Sequence, residues 1–197
     1  TDALERLKEL IRRLREAGIS IQYLDLGGGL GITYERETPP PPTDYARAII
    51  QASQDMDCTF IFEPGRVIVG NAGILVTRVL YTKENRGKKF VIVDAGMNDL
   101  IRPTLYEAHH DILPVREAAR GAHMITADVV GPVCETGDYL ALDRKLPEPK
   151  PGDLLAIMTA GAYGAVQSGT YNTRPLVPEV LVKDDRFAVV RPRIEVD

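Results

Sequence analysis

Two loops that follow predicted buried strands contain the residues best suited to chemistry in the first part of the chain. One is LDLGGGLGI, which contains Gly27, Gly28 and Gly29. Successive glycines let backbone N–H groups approach an anion closely. Neither standard nucleotide-loop pattern is present, because Ile32 stands where G-x-G-x-x-G needs its last glycine and no G-x-x-x-x-G-K-[ST] occurs. A phosphate site and a plain tight turn therefore both remain open for this loop.

The second loop, EPGR, places a carboxylate and a guanidinium on either side of a Pro-Gly turn. It consists of Glu63, Pro64, Gly65 and Arg66 and follows the apolar run CTFIF. Taken alone, this pattern fits a surface β-turn with an ion pair. Catalytic groups of α/β barrels gather at the carboxyl ends of parallel strands, so two such strand ends in one segment favour a shared site.

Three further motifs in the second part of the chain contain candidate site residues. Cys134 stands beside Glu135 in VVGPVCETGDYLA. A free cysteine is most often an inert apolar residue, although a loop position next to a carboxylate suits a core less well. Tyr163 lies among small residues in GAYGAVQSGTYN, which suits a ligand close to the backbone. Arg102 and Tyr106 are four positions apart, as in an ordinary helical or turn pair.

The composition argues against several classes of partner. The chain has 197 residues, 44% of them hydrophobic, and a net charge of −4 without a block of Lys or Arg. We therefore expect a globular protein with no nucleic-acid or membrane partner. Cys58 and Cys134 form no disulfide framework and the N-terminus has no signal-peptide layout, which favours a cytoplasmic location. His109, His110 and His123 lack a zinc-ligand framework. We therefore expect no metal site and a structural role for these histidines.

The elements that would position these residues change character near residue 72. Before it, helix and strand patterns alternate, as is typical of a parallel α/β unit. After it, short apolar strands broken by Gly, Pro and Asp predict an antiparallel β-domain, a barrel or a sandwich. The predicted helices of the first part span 2–17 and 43 or 44 to about 54. The predicted strands lie near 19–26 and within 58–65, where the second strand ends in a turn.

Five motifs occur in an order that resembles diaminopimelate decarboxylases, in the alanine-racemase-like, fold-type III class of pyridoxal-phosphate enzymes. They are LDLGGGLGI, FEPGR, DAGMNDLIRPTLY, GPVCETGD and TAGAYG. Each is weak alone, but the ordered set covers nearly the whole chain. The resemblance implies decarboxylation of meso-2,6-diaminopimelate to L-lysine and CO2, the last step of lysine biosynthesis. It further implies that residues 1–72 are the C-terminal part of a (β/α)8 TIM-like barrel and residues 73–197 an antiparallel β-barrel or sandwich.

The resemblance also implies a site for pyridoxal 5'-phosphate. The glycine loop would bind the phosphate through backbone N–H groups, with Tyr163 nearby. Glu63 would face the pyridine nitrogen, where a carboxylate favours the protonated ring. Gly65 and Arg66 would extend the cradle for phosphate and substrate. The implied cofactor-binding residues are Gly28, Gly29, Glu63, Pro64, Gly65, Arg66 and Tyr163.

Substrate roles follow from the same resemblance. Arg66, Arg102 and Tyr106 would hold the distal carboxylate of the diacid, a group that the guanidinium fork of arginine binds well. Glu135 would pair with the distal ammonium group, and Cys134 would be the catalytic thiol that protonates the substrate carbon after CO2 leaves. The Cys-Glu loop would serve the partner subunit, which implies a homodimer with shared active sites. The implied substrate-binding residues are Arg66, Arg102, Tyr106, Glu135 and Tyr163.

The Schiff-base lysine and the ring-stacking histidine of this family have no match in the chain. We therefore expect a fragment that is catalytically silent alone. One alternative is an ornithine- or arginine-type decarboxylase, which shares EPGR and a cysteine loop. CETGD and RPTLY favour diaminopimelate as the substrate, because ornithine and arginine have no distal carboxylate for Arg102 to bind. A non-catalytic homologue that binds a partner protein is the other alternative.

Overall fold

The computed structural model describes residues 2–196. The chain divides into two compact units, the first ending at Ile68 and the second beginning at Val69, near the predicted boundary between residues 72 and 73. In the described part of the chain, no helix is both long and apolar enough to cross a bilayer.

The first unit alternates helices and strands, as the sequence pattern predicts. Its two strands pair in parallel, with Tyr23 opposite Thr59. The helices and strands are α1 (Asp2–Glu16), β1 (Tyr23–Asp25), α2 (Pro42–Ala52) and β2 (Thr59–Ile61). No closed barrel is formed, because only these two strands pair within residues 2–68.

An apolar stripe on α1 builds the core of this unit. Leu4 and Ile11 lie two helical turns apart, so the 3.6-residue repeat places both on one face. They are buried with Leu24 of β1, and each buried aliphatic side chain contributes about 1.5–3 kcal/mol. Packing of α1 against β1 fixes the strand whose carboxyl end leads into the glycine loop.

The second unit is dominated by β-structure, and its described residues also include two short α-helices and three 3-10 turns. A two-residue turn joins its first hairpin, with Arg86 and Gly87 at φ values of 51° and 79°. These positive values match the right-handed twist of paired strands. The elements are α3 (Gly65–Val69, which begins in the first unit), β3 (Leu75–Asn85), β4 (Lys88–Val93), α4 (Arg102–Tyr106), β5 (Ile112–Pro114), β6 (Met124–Val130), β7 (Tyr139–Pro147), β8 (Leu154–Ile157), β9 (Glu179–Lys183) and β10 (Arg186–Arg191).

Six of these strands form one sheet in the order β5-β8-β3-β4-β6-β7. Its edge strands β5 and β7 approach each other, which makes the sheet an almost closed barrel. The expectation of a wholly antiparallel domain is wrong at one place, because β4 and β6 run parallel. Parallel neighbours need a long crossover, and here α4 and β5 lie between the two strands in the chain. Strands β9 and β10 form a separate antiparallel pair.

The barrel interior is apolar, but several polar side chains are buried beside it. The polar set is concentrated in the connections around α4 and β7, where burial requires hydrogen-bond partners. Four candidate site residues lie in or beside these connections: Arg102, Tyr106, Cys134 and Glu135. The buried polar residues are Thr77, Asn98, Asp99, Arg102, His110, Asp128 and Asp138.

Candidate active site

The glycine loop and the EPGR turn lie against each other at the ends of β1 and β2. The Glu63 amide donates to the carbonyl oxygen of Gly27 at 2.8 Å, and the Gly27 amide donates to Asp25 Oδ1 at 2.8 Å. A Cβ at Gly28 would lie 2.7 Å from the carbonyl oxygen of Glu63, so this close approach requires glycine. The prediction that the two loops share one end of adjacent parallel strands is confirmed.

Backbone donors remain available in this loop. No hydrogen bond between residues within 2–196 uses the amide N–H of Gly28 or Gly29. The Gly65 amide differs, because it donates to the carbonyl oxygen of Glu63 at 2.8 Å. Pro64 carries no N–H and precedes α3 directly. Anion binding through the Gly65 N–H therefore stays a prediction that requires this hydrogen bond to be given up.

Two tyrosines near these loops were not among the predicted site residues. Arg66 Nη1 lies 3.3 Å from Tyr34 Oη, and its guanidinium carbon lies 5.8 Å from the centre of the Tyr34 ring. Tyr45 Oη donates to the carbonyl oxygen of Gly28 at 3.1 Å. Tyr34 holds the arginine through its ring and hydroxyl, while Tyr45 supports the glycine loop from α2.

In the second unit, the helix that carries Arg102 and Tyr106 is joined to the Cys-Glu loop. Thr104 Oγ1 of α4 donates to the carbonyl oxygen of Gly137. Cys134 and Glu135 lie in this loop and both are exposed. The structure therefore places two motifs that are distant in the sequence, RPTLY and CETGD, next to each other.

Arg102 is buried and its guanidinium is held by a histidine. Arg102 Nη1 and His110 Nε2 are 2.8 Å apart, and His110 Nδ1 is 2.8 Å from the carbonyl oxygen of Met158. Since a carbonyl only accepts, Nδ1 carries the proton and Nε2 accepts from the arginine. Burial, followed by the positive charge of Arg102, lowers the pKa of His110 to about 4. The neutral imidazole thus orients Arg102.

The segment after β8 supplies further contacts to this region. Tyr171 Oη donates to Glu135 Oε2 at 3.4 Å. Arg174 Nε donates to Asn98 Oδ1 at 2.9 Å. Tyr163 adopts a left-handed backbone conformation with a φ of 62°. Residues other than glycine rarely adopt this conformation, and it is enriched at functional sites.

Comparison with known proteins shows the family. The family model described as "Pyridoxal-dependent decarboxylase, C-terminal sheet domain" matches residues 21–161. The chain belongs to this family of pyridoxal-dependent decarboxylases. The matched residues include the glycine loop, EPGR, α4 and the Cys-Glu loop.

The resemblance to diaminopimelate decarboxylases is also confirmed. The diaminopimelate decarboxylase of Pseudomonas aeruginosa is 55% identical over 192 residues, covering 98% of this chain and 46% of the relative. That of Zymomonas mobilis is 47% identical over 197 residues, with 99% and 46% coverage. The crystal structure of the Helicobacter pylori enzyme complexed with L-lysine has a TM-score of 0.88 and 43% identity, covering 99% of this chain and 48% of that chain. The chain thus spans about half the length of these relatives.

The donor groups of the first unit fit the cofactor that gives the family its name. A phosphate dianion needs several N–H donors, and the amides of Gly28 and Gly29 make no hydrogen bond within residues 2–196. A ring nitrogen needs a carboxylate, and Glu63 lies in the loop packed against them. Arg66 adds positive charge in the same turn.

The sequence did not predict the contacts that Tyr34, Tyr45 and His110 make with the candidate site residues. His110 was expected to be structural, without a partner being named. The sequence signal available was the excess of polar residues in DAGMND and YEAHHD, which interrupts an otherwise apolar β pattern.

Proposed function

We propose that this chain is part of a diaminopimelate decarboxylase, which converts meso-2,6-diaminopimelate to L-lysine and CO2 with pyridoxal 5'-phosphate, as a cytoplasmic homodimer. The high identity to enzymes of that name supports the proposal. The β1–β2 pair and its helices would be the last units of a (β/α)8 barrel. The rest of that barrel, in the longer protein, would supply the lysine that binds the cofactor covalently.

The observation that carries the proposal is the junction of α4 with the Cys-Glu loop. Thr104 and Gly137 connect a segment bearing the cation Arg102 to a segment bearing the anion Glu135. A substrate whose far end carries both a carboxylate and an ammonium group needs both charges on adjoining segments. Ornithine and arginine have no distal carboxylate for Arg102 to bind.

The first unit would hold the cofactor. Its phosphate would accept hydrogen bonds from Gly28 and Gly29. The resemblance also implies Tyr163 as a cofactor-binding residue. Glu63 would keep the ring nitrogen protonated, while Arg66, oriented by Tyr34, would add positive charge. When bound, pyridoxal phosphate supplies an electron sink for the carbon that loses CO2.

The second unit would complete the chemistry from its exposed loop. Cys134 Sγ would deliver a proton to the substrate carbon after CO2 leaves, and the loop position lets the thiol reach a neighbouring molecule. Arg102 and Tyr106 would bind the distal carboxylate, and Glu135 the distal ammonium. We propose that this loop serves the partner subunit, so that each active site contains residues of both protomers.

A substrate panel tests the proposed activity in the full-length protein. Purified holoenzyme is incubated with meso-diaminopimelate, ornithine or arginine, and the release of CO2 and formation of amine products are measured. Turnover of meso-diaminopimelate at a far higher kcat/KM than the other two is expected. Preference for ornithine or arginine would support the alternative decarboxylase, and cofactor-free protein without CO2 release would support the non-catalytic homologue.

Subunit mixing tests the shared site. Glu135→Gln protomers are mixed with protomers that lack the cofactor-binding lysine, and heterodimers are isolated with two different affinity tags. If the loop crosses to the partner, one site contains both defects and the other is wild type, which restores up to half of the normal activity. Inactive heterodimers would show that the loop acts in its own subunit.

A further inference from the structure

A single carboxylate joins the Cys-Glu loop to the loop that follows β4. Asp138 Oδ1 accepts from the Met97 amide at 2.6 Å, and Asp138 Oδ2 accepts from the Val133 amide at 2.5 Å. Val133 directly precedes Cys134 in the chain, and Met97 lies five positions before Arg102. The two oxygens of one buried side chain therefore fix both the Cys-Glu loop and the loop that leads into α4.

The backbone of Asp138 also closes the Cys-Glu loop on itself. Its carbonyl oxygen accepts from the Gly131 amide at 3.1 Å, and its amide donates to the carbonyl oxygen of Glu135 at 3.0 Å. Around the side chain there is no spare room, because a Cβ at Gly131 would lie 2.5 Å from Asp138 Oδ2 and 2.6 Å from Gly96 Cα. The carboxylate thus has one position, and that position defines the entry and exit of the loop.

An aspartate at position 138 is unfavourable for the stability of the folded chain, because its carboxyl group is buried. Its side chain is 5% exposed, and burial raises the pKa of its carboxyl, whereas the amides of Met97 and Val133 lower it. Burial raises the pKa of a second buried carboxyl, Asp99, with a smaller contribution from Asp138. Arg174 lies 3.8 Å from Asp99 Oδ2 and lowers the pKa of both carboxyl groups. Burying acidic groups side by side is unfavourable, so the geometry of two amide donors is the feature that requires a carboxylate.

We propose that Asp138 is a positioning residue that holds the Cys134–Glu135 loop in its working geometry relative to residues 96–99. The inference rests on the proposed function, since it assigns the loop to proton delivery and substrate binding. Asp138 contacts neither substrate nor cofactor in this role. It acts through Cys134 and Glu135, by restricting where their backbone lies.

Hydrogen exchange of the full-length holoenzyme tests the anchor directly. Asp138→Asn keeps the shape but places an NH2 group where one of the two amide donors needs an acceptor. Peptides covering 96–99 and 131–137 should exchange about ten-fold faster or more. Asp128→Asn is the matched control, because Asp128 is equally buried and accepts from the Asp143 amide at 2.9 Å and from Lys88. The control should leave both peptides unchanged.

A double-mutant cycle separates positioning from general destabilisation. Asp138→Asn should lower kcat for meso-diaminopimelate by about ten-fold or more, with Asp128→Asn near wild type. In a Cys134→Ala background, the same substitution should lower kcat by less than about three-fold, because the thiol that Asp138 positions for proton delivery is gone. Equal losses in both backgrounds would refute the inference, as would equal exchange in the Asp138 and Asp128 variants.

Two further outcomes keep the two proposals distinguishable. If Cys134→Ala leaves decarboxylation unchanged, the thiol role in the proposed function fails, and the exchange measurement alone decides whether Asp138 anchors the loop. If Asp138→Asn does not fold, Asp138→Glu replaces it, since it retains the acceptor atoms but displaces them by one methylene. It should show the same loop-specific exchange at smaller amplitude, and exchange spread over the whole unit would overturn the anchor.

Discussion

Protonation of His110 should destabilise the second unit of the chain as the pH falls below neutrality. The imidazole is fully buried, and both ring nitrogens have partners. Its Nδ1–H donates to the carbonyl oxygen of Met158, so an added proton must go to Nε2. There it would face the N–H of Arg102, and two cationic donors would point at each other in a buried environment.

The size of the effect follows from the shift in pKa. The pKa of His110 falls from its ordinary value of 6.5 to about 4, chiefly because of burial. Between these values the unfolded chain binds a proton that the folded chain does not, so stability decreases as the pH falls through the window. At about 1.4 kcal/mol for each pH unit, the loss approaches about 3 kcal/mol and stops growing below the folded pKa.

Two measurements check this prediction. NMR titration of the three histidine Cε1–H signals gives the folded pKa of His110 directly, after assignment with single His→Gln variants. Urea unfolding followed by amide signals of β4 and β6 gives the stability of this unit at each pH. The difference between wild type and His110→Gln isolates the contribution of His110, and His123→Gln is the control because its ring lies at the surface beside Glu148.

The prediction has a clear failing result. A His110 signal that titrates near or above its ordinary pKa would show that the ring is hydrated or that Nε2 does not face Arg102. Parallel stability curves for wild type and His110→Gln between neutral pH and about pH 4 would lead to the same conclusion. In either case, the neutral imidazole could not be what orients Arg102.

Three further predictions concern the site itself. In the full-length enzyme, Cys134→Ala should lower decarboxylation by about 100-fold or more while cofactor absorbance is retained; a loss of only a few-fold would assign the proton to another group. Glu135→Gln should lower kcat/KM for meso-diaminopimelate by about 30-fold or more through loss of a counter-charge, and an unchanged value would place the distal ammonium elsewhere. Gly28→Ala should weaken cofactor binding in absorbance titrations, because its Cβ would lie 2.7 Å from the carbonyl oxygen of Glu63. Gly31→Ala, whose nearest contact would be an ordinary 3.5 Å, is the matched control, and equal effects of the two would contradict the close packing.

Local patterns were enough to predict the order of most elements. The apolar repeat of α1 is a property of neighbouring residues, and this helix occurs where the sequence indicates it. Short elements were not foreseen. Strand β5 is three residues long and pairs only with distant β8, and the parallel pairing of β4 with β6 depends on the path of a long crossover.

The residue types available for chemistry were determined by the sequence itself. The motifs with glycines, EPGR and Cys-Glu could be identified without coordinates, because each requires only a few adjacent residues. Their roles as site residues stay predictions. What holds the loops in place was decided by tertiary structure alone. Asp138 is 41 positions from Met97, and His110 is 48 positions from Met158. A buried polar group takes whichever partner the folded sheet brings within hydrogen-bond distance, and no local pattern in the chain encodes that pairing.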